Sequence, residues 1–299
     1  MSRIIRIIVA VLMLISPSLP QSLSLPAIPR GQDLQLKERF KLVWEDEFNG
    51  DSLNPKNWSP SWWQTERKGG YWHEDMVKVR NGNLVITTEY MEEPLENDYL
   101  EKWGDTINFK DYKPGWYTGC ITSVNKFEQC YGYFECRAIL PKSTGMWSAF
   151  WMMNDKVGDV DGTGMDGTEV DIFESMFYKD EWWGAGGAVI SGIVYDGYGA
   201  ETKNDSIGKW FANNPYEEFN TYGLEWNENE YIFYINGIET GRLSTGGVSR
   251  NPEYLLLSCE VAGENGIAHA DRHGTGKMRM EPGDKAEFIV DYVRVYQYK

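Results

Sequence analysis

Basic and imidazole side chains are scarce in this chain. Lysine and arginine total 29 against 45 acidic residues, a net charge of −16, and 299 residues contain three histidines. A phosphate backbone needs a basic stripe, so nucleic acid is excluded as a partner. The same balance favours a neutral glycan over a highly sulfated one, although net charge does not describe a local patch. His269 and His273 stand four apart beside Asp271. The Gly and Arg residues around them do not read as a helix, so no catalytic metal is expected there. Cysteine is equally sparse: Cys120, Cys130, Cys136 and Cys259, at spacings that do not read as a zinc site. An exported chain could oxidise some of them. Cys120 and Cys136 fall on consecutive predicted strands and would pair first, with buried free thiols as the alternative.

Long apolar runs are also missing beyond the N-terminus, so no membrane insertion is expected. Arg3 and Arg6 precede Ile7 to Ile15, a run too short to span a bilayer, and Ser16-Pro17 breaks it. Residues 1–22 therefore read as a secretory signal, cut somewhere between Ser18 and Ala27. No Cys follows the run, so no lipoprotein signal is seen. A secreted or periplasmic protein is expected. Residues 23–38 form an irregular leader, and a single domain follows over 39–299.

Aromatic residues, by contrast, are plentiful at 14%, with 13 Trp and 18 Tyr. They fill cores, and they offer flat platforms to the apolar faces of sugar rings. Turn signals alternate with short apolar strands, as in the hairpin Val77 to Thr87 around Asn81-Gly82. Few helix patterns and no internal repeat occur. The class is all-β, a sandwich.

The chemistry concentrates in Gly167-Thr168-Glu169-Val170-Asp171-Ile172-Phe173-Glu174-Ser175. Alternation makes this a strand with Glu169 and Asp171 on one face. Glu174 would fall on the other face unless one extra residue intervenes. A β-bulge at Ile172-Phe173 is predicted to restore it. Three acids in one cleft suit glycoside hydrolysis, where one carboxyl group attacks and another donates a proton. Mutual repulsion then keeps one of them protonated near neutrality. A solvated acidic strand would not need the bulge-compensated spacing.

Glu-Val-Asp-Ile-Phe-Glu resembles the bulged catalytic signature of glycoside hydrolase family 16. Tyr131-Gly132-Tyr133-Phe134-Glu135-Cys136-Arg137 and Gly145-Met146-Trp147-Ser148-Ala149-Phe150-Trp151 resemble two further family segments, with Ser148 where the family has Pro. The resemblance covers roughly residues 40–299. It implies a β-jelly roll of two curved antiparallel sheets with a concave cleft, and retaining endo-acting chemistry with no catalytic cofactor. It makes Glu169 the nucleophile, Asp171 its helper and Glu174 the acid/base. It also implies a structural Ca²⁺ near Gly82 and Asp291.

Trp72 and Trp147 are candidate sugar platforms. Glu135 and Arg137 share a charged face with Tyr133, which is expected to be the cleft, with an ion pair on the convex side as the alternative. Glu260 should join the cleft if Cys259 is in the core. The Asp155 to Thr168 segment reads as a rim loop, and the 90–116 loop as a shaper of substrate choice. The substrate stays open between β-1,3 or mixed-linkage glucan and a β-galactosidic glycan, with agar- and carrageenan-type chains behind. Thr168, the Ser175-Met176-Phe177 run and Tyr195-Asp196-Gly197-Tyr198-Gly199 lean toward galactose. A non-catalytic lectin and a transglycosylase on the same fold are the rival functions. A monomer is expected.

Overall fold

A computed structural model describes residues 36–61, 66–96, 112–176, 178–179, 186–269 and 278–299. The signal segment 1–22, most of the 23–38 leader, residues 97–111 of the 90–116 loop, Phe177 and His273 lie outside the described residues.

Among the described residues, two large sheets pack face to face as a β-jelly roll, one of eleven strands and one of eight. The larger runs through Asn220–Trp226, Gly132–Ile139, Lys285–Tyr298 and Asn83–Met91. The smaller runs in the order Lys203–Phe211, Ala188–Tyr195, Glu169–Ser175, Met146–Met153 and Glu253–Val261. Pairing is antiparallel throughout these strands. Among the described residues helical structure is limited to single turns such as Asp155–Gly158.

Period-two alternation decides which side chains meet between the sheets. From the smaller sheet Phe150, Met152, Val170, Leu255, Leu257 and Cys259 point inward, and from the larger sheet Phe134, Phe233 and Phe288 meet them. The Val77–Arg80 and Asn83–Met91 strands turn at Asn81-Gly82 with φ of 53° and 72°, the left-handed pair that a tight hairpin requires.

All four cysteines are free thiols, so the Cys120–Cys136 pairing does not form. Cys120 belongs to the smaller sheet and Cys136 to the larger one. Each is buried among apolar neighbours, which pushes its thiol well above the ordinary range.

Candidate active site

The acid strand, Glu169–Ser175, departs from regular pairing where the sequence demands it. Against one neighbour, Phe150 sits opposite Phe173 and Trp151 opposite Asp171, so Ile172 is skipped. Against the other, Asp171 faces Gly192 and Glu174 faces Ile190, leaving Ser191 alone opposite Ile172 and Phe173. This is the expected bulge. Both bulge side chains enter the core, where Ile172 and Phe173 are fully buried. The buried Ser191 hydroxyl donates to the Ile172 carbonyl at 2.8 Å, replacing a bond that the ladder loses there. Glu169, Asp171 and Glu174 consequently line one cleft of about 950 Å³ on the outer face of the eight-stranded sheet.

Each glutamate has its own donor. The Tyr198 hydroxyl donates to Glu169 Oε2 at 2.5 Å. The Trp147 indole N–H donates to Glu174 Oε1 at 2.7 Å. Burial pushes all three acids up, and repulsion from neighbouring acids adds to it, from Glu260 for Glu169 and from within the trio for Asp171 and Glu174. Glu174 rises to about 7, from burial first and then from Glu169. Asp171 lies well above the usual carboxylate range, from burial and then from Glu174 and Glu169. Glu169 rises through burial, but the Tyr198 hydroxyl, Arg67 and Lys68 pull against that rise. The site thus gives Glu169 hydroxyl and cationic support against its rise and leaves Glu174 raised to about 7 and Asp171 well above its ordinary range.

Glu260 reaches the cleft, while Cys259 on the same strand turns into the core. It is buried and held by Arg67 Nε at 2.5 Å, with Lys68 Nζ 3.6 Å from its other oxygen. Trp147 lines the cleft, but its ring carries Lys68 Nζ 3.6 Å from the centroid, so that face is not an open platform. Trp151, whose N–H donates to Ser258 Oγ at 3.1 Å, forms part of the floor.

Two expectations fail. Trp72 is 3% exposed, its N–H donates to the Cys259 carbonyl at 2.9 Å, and Arg67 covers its ring. It supports the cleft wall from beneath and offers no stacking face. Glu135 and Arg137 lie on the Gly132–Ile139 strand of the larger sheet, away from the cleft. There Glu135 accepts from the Tyr133 and Tyr292 hydroxyls at 3.0 and 2.8 Å, while Arg137 pairs with Asp291. Alternation showed that the face was polar, but either sheet can present a polar outer face. Of the residues named for a structural calcium, Asp291 has its carboxylate engaged by the Arg137 guanidinium, and Gly82 belongs to the hairpin turn. Among the described residues no group of three or more His, Cys, Asp or Glu is arranged to hold a metal.

Of the galactose-leaning features, Tyr198 and Met176 line the cleft, whereas Thr168 is buried with its hydroxyl on the Gly164 carbonyl. Sequence reasoning missed Arg67, Lys68 and Lys209 as cleft residues. The Lys68-Gly69-Gly70 run was the available signal. A Cβ at Gly69 would collide with the Ala262 carbonyl, so this turn packs against the end of Glu253–Val261 and carries two cations to Glu260.

The beta-porphyranase A–D GH16-domain family model matches residues 43–298. Beta-porphyranase B of Zobellia galactanivorans is 30% identical over 71% of this chain and 71% of that protein. Endo-1,3-1,4-beta-glycanase ExsH of Rhizobium meliloti is 28% identical over 88% of this chain, which spans only 49% of that longer protein. The endo-1,3-beta-glucanase (laminarinase) catalytic domain of Thermotoga petrophila shares the fold, with a TM-score of 0.65 over 87% of this chain and 98% of that one at 23% identity. With the family model spanning nearly all of the described domain, and a bulged strand carrying its three acids into the cleft, the chain belongs to glycoside hydrolase family 16.

Proposed function

We propose that the protein is an endo-acting retaining β-glycanase in which Glu169 is the nucleophile, Glu174 the acid/base and Asp171 the helper. The observation that carries this reading is the bulge, which gathers three acids in one cleft and leaves each glutamate a different donor. Glu174, protonated up to about pH 7, gives its proton to the leaving glycosidic oxygen. Glu169, supported as an anion by Tyr198, Arg67 and Lys68, attacks the anomeric carbon as the glycosidic bond breaks. Asp171, whose carboxyl burial and the two glutamates push well above the usual range, stands between them in the strand as the helper. Water then attacks the glycosyl ester, Glu174 takes its proton, and Glu169 is released. Glu169→Gln and Glu174→Gln are each expected to lower kcat by about a thousandfold or more while glycan binding survives. Turnover near that of the wild type in either variant would remove the assignment.

For the substrate, a β-linked galactan of the porphyran kind is the best-supported reading. The matching family model and the Zobellia relative both carry that name. Arg67, Lys68 and Lys209 also gather in the cleft of a chain whose net charge is −16. The global charge is therefore no argument against an anionic polymer at this site. A β-1,3-1,4-glucan is the second reading, favoured by the rhizobial relative. Product analysis on porphyran, agarose, laminarin, barley glucan and mucin O-glycans separates them. Galactose-ended oligosaccharides from porphyran support the first, glucose oligomers from laminarin or barley glucan replace it with the second, and products longer than the substrate identify a transglycosylase. Export through the 1–22 signal would place the enzyme where such polymers are found.

A further inference from the structure

Lys68 supports Glu169 as an anion, but its seat on the Trp147 ring serves no step of that scheme. Lys68 has a backbone φ of 53°, a left-handed conformation that a long side chain seldom adopts. It is fixed from two sides: the Gly69 N–H donates to the Val261 carbonyl at 2.9 Å, and the Gly266 N–H donates to the Lys68 carbonyl at 2.9 Å. The strained backbone delivers the ammonium to a defined place, 3.6 Å from the centre of the Trp147 ring and 3.6 Å from Glu260 Oε2. The rest of the indole packs against the Met176 and Ala188 cluster, and its N–H points to Glu174.

We infer that Lys68 is a positioning residue that acts on Glu174 through the Trp147 indole; naming Glu174 as the acid/base rests on the glycanase reading above. A cation on the ring face draws π-electron density toward itself. The opposite consequence falls on the ring edge, where Nε1–H becomes more positive and a stronger donor. A stronger donor favours the ionised form of the carboxyl group that accepts from it. Glu260, itself held by Arg67, keeps the ammonium seated. The device opposes the rise that burial and Glu169 impose on Glu174, which must release its proton in the first half of the reaction and take one back in the second.

Other charged groups also face this carboxyl. Glu169 and Asp171 lie on its own strand, and Glu260 comes from the Glu253–Val261 strand, two strands away across Met146–Met153. Arg67, Tyr198, Asp205 and Lys209 line the same cleft from three other segments. Lys68 is distinguished from these by its seat on the ring that carries the Glu174 hydrogen bond.

The test is the titration of the Glu174 carboxyl group in the full chain. It is followed as the carbonyl band in pH-difference infrared spectra and assigned by its loss in Glu174→Gln. In Lys68→Met the midpoint is expected to rise by roughly half to one pH unit, and in Lys68→Arg to stay within about 0.2. Trp147→Phe should raise it as well, and adding Lys68→Met to Trp147→Phe should move it less than Lys68→Met does alone. An unmoved midpoint in folded Lys68→Met overturns the inference. Equal shifts with and without the indole overturn the route through Trp147. If Lys68→Met does not fold, Lys68→Gln carries the same expectation. The readout needs no turnover: a wild type that hydrolyses no glycan while these midpoints move as stated defeats the glycanase reading and leaves this inference standing.

Discussion

Residues in the cleft are told apart by what donates to them. Glu169 and Glu174 are chemically identical side chains on one strand, yet Tyr198 serves one and Trp147 the other. The working range follows from the signs. Hydrolysis needs Glu174 protonated, so kcat/KM should fall on the alkaline side with a midpoint near pH 7. It also needs Glu169 ionised, and the Tyr198 hydroxyl lowers the pKa of that group. Tyr198→Phe should therefore move the acid limb to higher pH and lower kcat by about tenfold. A pH–rate profile with an unchanged acid limb would deny Tyr198 that role. Neither glutamate's donor was visible from the acid strand itself. Tyr198 comes from the turn after Ala188–Tyr195, and Trp147 lies one strand away.

At the scale of elements, the bulge is the device that converts spacing into a site. Glu174 stands five positions after Glu169, and only an inserted residue brings both to one face. The Ser191 hydroxyl on the Ile172 carbonyl is part of how that insertion is tolerated. Ser191→Ala should destabilise the fold by about 1–2 kcal/mol and lower kcat more than it raises KM, because Glu174 is re-aimed while the rest of the cleft remains. Denaturant midpoints and steady-state kinetics measured together check this, and a change in KM alone would contradict it. Trp72→Phe supplies the contrast. It removes a buried N–H from the Cys259 carbonyl, so a stability loss of about 1–3 kcal/mol with little change in KM is expected.

Across the whole molecule the site is maintained against stability. A carboxyl group whose folded pKa is raised binds its proton more tightly folded than unfolded. Folding stability therefore falls as pH climbs from the unfolded value through the folded one, and the loss is complete above it. For Glu174 that window runs from 4.5 to about 7, and for the fully buried Glu253 from 4.5 to about 8. Glu174→Gln should consequently melt a few degrees above the wild type at pH 8, with the gap closing toward pH 4. A constant gap across that range would show that the group does not titrate within the fold.

What the sequence determined by itself was everything carried by short-range periodicity. The alternation of apolar residues made the sandwich, Asn81-Gly82 made the hairpin, and the Glu169–Glu174 spacing required the bulge and with it the common cleft. Cys259 in the core and Glu260 in the cleft followed from the same period of two. The tertiary structure alone decided which polar face was the cleft. Glu135 and Arg137 had the right pattern but stand on the other sheet, because alternation fixes a side of a strand and says nothing of which sheet the strand joins. It also decided the cation wall. Lys68 and Glu260 are far apart in the chain and meet only because a glycine turn closes against Val261 and Ala262, a long-range contact that no local pattern encodes.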